Sequence, residues 1–254
     1  MKRFAPLVWR ALGIGLPLLV ASLPVWAADI GLPALHMTPD GHGGQEWTLS
    51  VQALVGMTLI TLLPALLLVM TSFPRILIVL GLLRQALGTG QTPSNQILIG
   101  LALMLTAVVM QPTFSKMWQD GAKPYMDHTA TFQVAMDAGV KPLRKFMLKQ
   151  TRSDTLLFYA KISHHGKFAS PQAVPFPILA AAFLTSELKT AFEIGFLLYI
   201  PFMIIDLVVA SVLMGMGMMM LSPMVISAPF KLLLFVLVDG WTLVLGTLVG
   251  SFHP

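Results

Sequence analysis

The chain contains no cysteine, and only 11% of its 254 residues carry charge. Without a thiol there can be no disulfide staple, no thiolate metal site and no cysteine nucleophile, and passage through an oxidising compartment poses no hazard. Charge this sparse, beside 56% hydrophobic residues and a mean hydropathy of +0.80, excludes an ordinary water-soluble domain. A cationic surplus is missing too. The formal charge is +5, but Lys2, Arg3 and Arg10 sit in a leader, and taking those three from 5 leaves +2. That is too little for a nucleic-acid surface, so no nucleic acid is expected as a partner.

Catalytic signatures are also lacking: there is no phosphate-cradling Gly-Lys-Ser/Thr loop, no zinc-protease His-Glu pair and no nucleophile elbow. The apolar runs hold no histidine, so a serine and a histidine cannot face each other across helices. His36 and His42 are isolated on a loose segment, where such side chains are usually just solvated, and His164-His165 has no carboxylate or further His at ligand spacing. The sequence therefore implies a non-enzymatic protein with no cofactor and no metal.

What remains is a membrane layout. Residues 1–27 read as a cleaved signal peptide, with a basic start, an apolar stretch over 11–20 and Val25-Trp26-Ala27 as the small-residue cleavage site. A retained anchor fits less well because Pro17 and Pro24 interrupt the segment and it is short for a span. Residues 28–50, rich in Gly, Pro and His, read as a flexible periplasmic lead-in. The uncharged run 51–73 is long enough to cross a hydrocarbon core of about 30 Å. Pro74-Arg75 ends it, 76–83 is apolar again, and 87–93 is a turn. Ser94 is the N-cap of a second long apolar helix over 97–110 that stops at Gln111-Pro112. Residues 51–112 thus form a first helical hairpin with Arg75 and Arg84 near its tip, on the cytoplasmic side. Residues 113–173, mixed in charge, form a helical periplasmic insert. Residues 174–254 form a second hairpin broken at Ser222-Pro223 and Ala228-Pro229. The expected fold is an all-α integral membrane protein with about four transmembrane-like helices. The insert is basic although placed outside, but the positive-inside rule loses force for loops of about 60 residues.

Charges inside the last hairpin need partners, because an ionised group at mid-membrane costs about 2.5 to 3.5 kcal/mol. Glu187 and Lys231 are the best-placed interhelix or intersubunit ion pair. Lys189 and Glu193 either pair or snorkel to an interface, and a proton relay through Glu187 and Asp206 is a further alternative. Met214, Met216, Met218, Met219, Met220 and Met224 crowd one place, with Gly215 and Gly217 between them. Unbranched, polarizable thioethers repack against many shapes, and Met218-Met219-Met220 covers most of a turn rather than one face, which favours a constriction over plain core. Phe146 and Tyr159 in the insert pack either within it, between subunits or toward a lumen.

Several runs carry a resemblance. Phe73-Pro74-Arg75-Ile76-Leu77-Ile78-Val79-Leu80, Arg84-Gln85-Ala86-Leu87-Gly88 and Thr92-Pro93-Ser94-Asn95-Gln96 resemble the signature of the flagellar biosynthetic protein FliP family. Pro142-Leu143-Arg144, Phe146-Met147-Leu148 and Gln150-Thr151-Arg152 look like its insert. Thr185-Ser186-Glu187-Leu188-Lys189-Thr190-Ala191-Phe192, Pro229-Phe230-Lys231-Leu232 and Val238-Asp239-Gly240-Trp241 look like its final hairpin. The similarity runs from Gln52 to Phe252. It implies a core subunit of the type III protein export gate, related to the injectisome's version and more similar to the flagellar branch. It further implies assembly as a homo-oligomer, a pentamer, with FliQ and FliR in the bacterial inner membrane, lifted toward the periplasm, to pass unfolded flagellar proteins. Carried over by position, Glu187 and Lys231 would be the family's ion pair and Met218, Met219 and Met220 its seal. From another class, an ion or solute carrier would use Glu187, Asp206 and Lys231 near mid-membrane.

Overall fold

A computed structural model describes residues 35–39, 45–49, 51–164, 168, 170, 173–218 and 220–252. The leader, 1–27, and Met219 lie outside the described residues. The chain divides into two units, residues 1–62 and 63–254. In the first, β1 (Leu35–Pro39) pairs antiparallel with β2 (Gln45–Leu49), Met37 facing Trp47. The stretch expected as a loose lead-in thus contains a hairpin. Thr38, Trp47 and Thr48 are good strand formers, a signal that the absence of an apolar period hides. From Val51 onward the described residues are helical apart from short connections.

Helix α1 (Val51–Val69) crosses the boundary between the units and is followed by α2 (Phe73–Leu87) and α3 (Asn95–Met117). A five-residue π-helix (Trp118–Ala122) continues α3 into the short α4 (Lys123–Met126). The insert supplies α5 (Phe132–Gln150) and α6 (Ser153–Ile162). The last third is α7 (Phe176–Gly215), α8 (Pro223–Leu237) and α9 (Gly240–Gly250). Two stretches are long and apolar enough to cross a membrane unbroken, Asn95–Met126 and Phe176–Gly215, with mean hydropathies of 2.0 and 2.4. The pairs α1–α2 and α8–α9 pass the same test together, each bent by 67°, which gives up to four spans and agrees with the expected all-α membrane fold. The first of these bends, at residues 70–72, lies inside the second unit.

Proline proves a weaker stop than its usual behaviour in water predicts. Pro112 was expected to end α3 and Pro229 to break the second hairpin, yet both lie inside helices, as do Pro64, Pro142 and Pro201. Packed neighbours and apolar surroundings keep such a helix continuous despite the lost N–H, because frayed backbone has no water to turn to. The break falls instead between α8 and α9, where Asp239 takes a left-handed φ of 49°. At α2 the punctuation is regular: Pro74 stands in the first turn and Gly88, φ 70°, closes the end with its N–H on the Gln85 carbonyl.

Helix α2 is the axis of the second unit. Ile76, Val79 and Leu80 are fully buried with Leu98 and Ala102 of α3, Ala191 of α7, Leu248 of α9 and Phe252. Farther along, Leu83 and Leu87 pack on Phe202, Phe235 and Val244. Helices α2 and α7 run parallel: Arg75 meets Glu187, and one helical stretch later Leu82 sits against Gly195, where a Cβ would overlap it. A third cluster joins Met110 of α3, Leu143 and Met147 of α5, and Leu179 and Phe183 of α7. The large apolar side chains of α1 from Leu54 to Val69 are exposed, as are Phe192, Phe196 and Leu197 on one side of α7. Such surface needs lipid or another protein to cover it.

The π-helix crosses α5 at two glycines. A Cβ on Gly121 would stand 2.7 Å from the Cα of Gly139 and 3.0 Å from the Ala135 carbonyl oxygen, and both are backbone atoms that cannot swing aside. We expect Gly121→Ala to cost about 1 to 3 kcal/mol, the range for overpacking. Thermal unfolding of the full chain in detergent checks this, and an unchanged midpoint would refute the close approach.

Candidate functional site: paired charges and a methionine turn

Arg75 follows Pro74 in the first turn of α2, the helix that carries the first two apolar clusters. Only 2% of it is exposed. Its Nε donates to Glu187 Oε2 at 2.8 Å and its Nη2 to Oε1 at 2.5 Å, a two-pronged pair between α2 and α7. Nη1 donates to both the carbonyl and the hydroxyl of Ser251 (3.0 and 3.1 Å), Nη2 also approaches Gln150 Oε1 at 3.4 Å, and the guanidinium lies 4.0 Å over the Phe252 ring. The planar fork of arginine suits this arrangement, because five N–H groups can serve acceptors from three segments at once.

This overturns the expected Glu187–Lys231 pair. Glu187 is fully buried against Arg75, while Lys231 is held by another acid: its Nζ donates to Asp206 Oδ2 at 2.6 Å and to the Ala86 carbonyl at 3.1 Å. Ser227 donates to the other Asp206 oxygen at 2.5 Å. The physical reason is reach along parallel helices. Glu187 lies level with the start of α2 and Lys231 level with its end, so each finds a nearer partner there. Arg75 is likewise not a free charge at a hairpin tip shared with Arg84. The two stand at opposite ends of α2, roughly 13 Å apart along the axis at 1.5 Å per residue. Arg84 is the one beside the turn, donating to the Pro93 carbonyl (3.0 Å) and Asn95 Oδ1 (2.7 Å).

Lys189 and Glu193 resolve toward pairing. Lys189 donates to Asp154 at 3.1 Å, and Arg152 bonds both Glu193 oxygens at 3.0 and 2.9 Å, so α7 is clasped to the start of α6. The Arg152 N–H adds a bond to Ser186 Oγ at 3.1 Å. The Lys189 ammonium and the Thr155 N–H hold the Asp154 carboxyl below its usual range. Both pairs are exposed, and such pairs contribute little apart from orientation.

Phe146 and Tyr159 are both used within the chain. Phe146 makes an edge-to-face contact with Phe183 at 5.9 Å, and Tyr159 shares a 2.9 Å hydrogen bond with Thr185, so each ties the insert to α7. The methionines behave differently. Met214, Met216, Met218, Met220 and Met224 are all exposed, Met220 completely, in and around the turn joining α7 to α8. Gly217 carries that turn with φ +73°. Among the described residues no core absorbs them.

Three features escaped the sequence: Arg75 as the partner of Glu187, Asp206 as the partner of Lys231, and Ser251 with Gln150 as further acceptors. A charge count held a clue. Glu187, Glu193, Asp206 and Asp239 outnumber Lys189 and Lys231 in the last hairpin, so balance required a cation from elsewhere, and Arg75 stands in an apolar run with no acid nearby.

Known proteins are similar to this chain over most of its length. The flagellar biosynthetic protein FliP of Pectobacterium carotovorum subsp. carotovorum is 52% identical over 241 residues, covering 95% of this chain and 92% of that protein. That of Bacillus subtilis (strain 168) is 47% identical over 80% of this chain and 92% of its own length. That of Borreliella burgdorferi is 45% identical, covering 87% and 89%. The FliP family model matches residues 56–248, a stretch that holds both buried ion pairs and the methionine turn. With three quarters of its length matched, and its helices apolar enough for a membrane, the chain belongs to the FliP family.

Proposed function

We propose that this chain is a core subunit of the flagellar type III protein export gate. In this reading several copies, five by family resemblance, join FliQ and FliR in the bacterial inner membrane. There they form a gated channel for unfolded flagellar proteins, with residues 113–173 on the periplasmic side. The observation that carries the reading is the methionine turn: a run of exposed, pliable side chains on a hairpin whose Glu187, Lys189, Glu193, Asp206 and Lys231 are already paired. A seal around a passing polypeptide needs side chains that conform to changing shapes, and thioethers do. Repeated around a ring, Met218, Met219 and Met220 from each copy would close the conduit. A carrier site built from Glu187, Asp206 and Lys231 has less support, because Glu187 has no exposed surface and both of its oxygens already accept from Arg75.

The test separates assembly from closure. Replacing Met218, Met219 and Met220 with Gly is expected to leave the complex with its partners intact but to make cell membranes leak small ions, read as ion flux in energised cells. Tight membranes in that variant would overturn the seal.

A further inference from the structure

A cleft of about 310 Å³ opens between α3, α5 and the end of α9. Its wall is mostly apolar, with Val109, Phe146 and Phe252 among the lining residues, and Lys116, Lys145 and Lys149 edge it. Lys145 and Lys149 stand one turn apart on α5, with Lys141 a turn earlier, and like charges at that spacing repel. Among the described residues the four ion pairs engage Arg75, Arg152, Lys189 and Lys231, and none of them involves Lys116 or Lys145. A concave apolar wall under a cluster of one sign is complementary to an amphiphile of the opposite sign. Position along the chain agrees. Lys116 follows the apolar run of α3, part of the stretch Asn95–Met126 that is long and apolar enough to cross a membrane. A span over the apolar run of α3 would set Lys116 at the level of the lipid headgroups and the apolar wall toward the hydrocarbon.

We propose that this cleft holds an anionic phospholipid, its acyl chain against Val109, Phe146 and Phe252 and its phosphate between Lys116, Lys145 and Lys149. A soluble phosphate would leave the apolar wall wet. A second copy presenting the same face would set lysine against lysine.

The full chain, reconstituted in phosphatidylethanolamine vesicles containing phosphatidylglycerol with a photoreactive acyl chain, tests this. Labelling is expected at Val108 and Val109 and around Phe146. The double variant K116Q/K145Q should lower it about thirtyfold, the scale set by two lysines near an anionic surface, while labelling of Leu59 in α1 stays unchanged. V108W, at an exposed position on the cleft wall, should lower it without touching any charge. Equal labelling by photoreactive phosphatidylcholine would overturn the charge recognition. Loss of labelling to excess inorganic phosphate would assign the lysines to a soluble anion. An unlabelled cleft that crosslinks instead to a second copy would make it a protein interface; either result ends the proposal.

Discussion

Arg75→Met is expected to destabilise the folded chain by about 3 to 5 kcal/mol, the range for removing one member of a buried ion pair. It leaves Glu187, which has no exposed surface, without its donors, and frees Ser251, Gln150 and the Phe252 ring from what holds them. Glu187→Gln should cost less, because Arg75 keeps Ser251 and Gln150 as acceptors. Arg75→Lys should fail nearly as badly as Met, since an ammonium cannot serve a bidentate carboxylate and the Ser251 groups together. The double variant Arg75→Met/Glu187→Met should recover part of the loss, because an apolar pair leaves no orphaned charge. Unfolding midpoints in detergent order these four variants. If the double variant is no better than Arg75→Met alone, the pair is not the source of the cost.

The same series decides the partner assignment. Combining Glu187→Gln with Lys231→Met should give additive losses, within about 0.3 to 0.5 kcal/mol, as for sites that share no partner. Strong coupling there would restore the pairing expected from the sequence.

How far the sequence was legible depended on range. Helix existence, the turn at Gly88 and the helix start after Ser94 follow from local apolar runs and local turn chemistry, and these agree with the structure. Ser94 occupies the cap position, although its side chain makes no capping bond. Which charge meets which is a question of register between helices, across 112 residues for Arg75 and Glu187 and 25 for Asp206 and Lys231, and composition does not encode it. Glu187 and Lys231 looked matched because they are neighbours in the last hairpin, whereas the parallel packing of α2 on α7 brings Arg75 and Ala86 between them. Proline misled for a related reason: Pro112 and Pro229 carry a stop signal calibrated in water, where a broken helix can be solvated. The methionine turn was legible because the run itself forbids a one-sided core stripe.

Asp206 and Lys231 tie the two arms of the hairpin that presents those methionines, so loosening them should be felt at the turn. Asp206→Ala should be worse than Lys231→Met. The first strands an ammonium that is 2% exposed with only the Ala86 carbonyl to accept from it; the second leaves a carboxylate that is 32% exposed and still bonded to Ser227. The buried cation cannot recruit water, and the half-buried anion can. A loss of about 3 kcal/mol or more is expected for Asp206→Ala and distinctly less for Lys231→Met, with the pair Asp206→Leu/Lys231→Met between them. Because Lys231 also caps the end of α2 through Ala86, swimming of cells that depend on this chain should fall with Asp206→Ala even at a temperature where the variant stays folded. Equal stability of the two single variants would mean that both side chains reach solvent, and the brace beneath the methionine turn would have to be sought elsewhere.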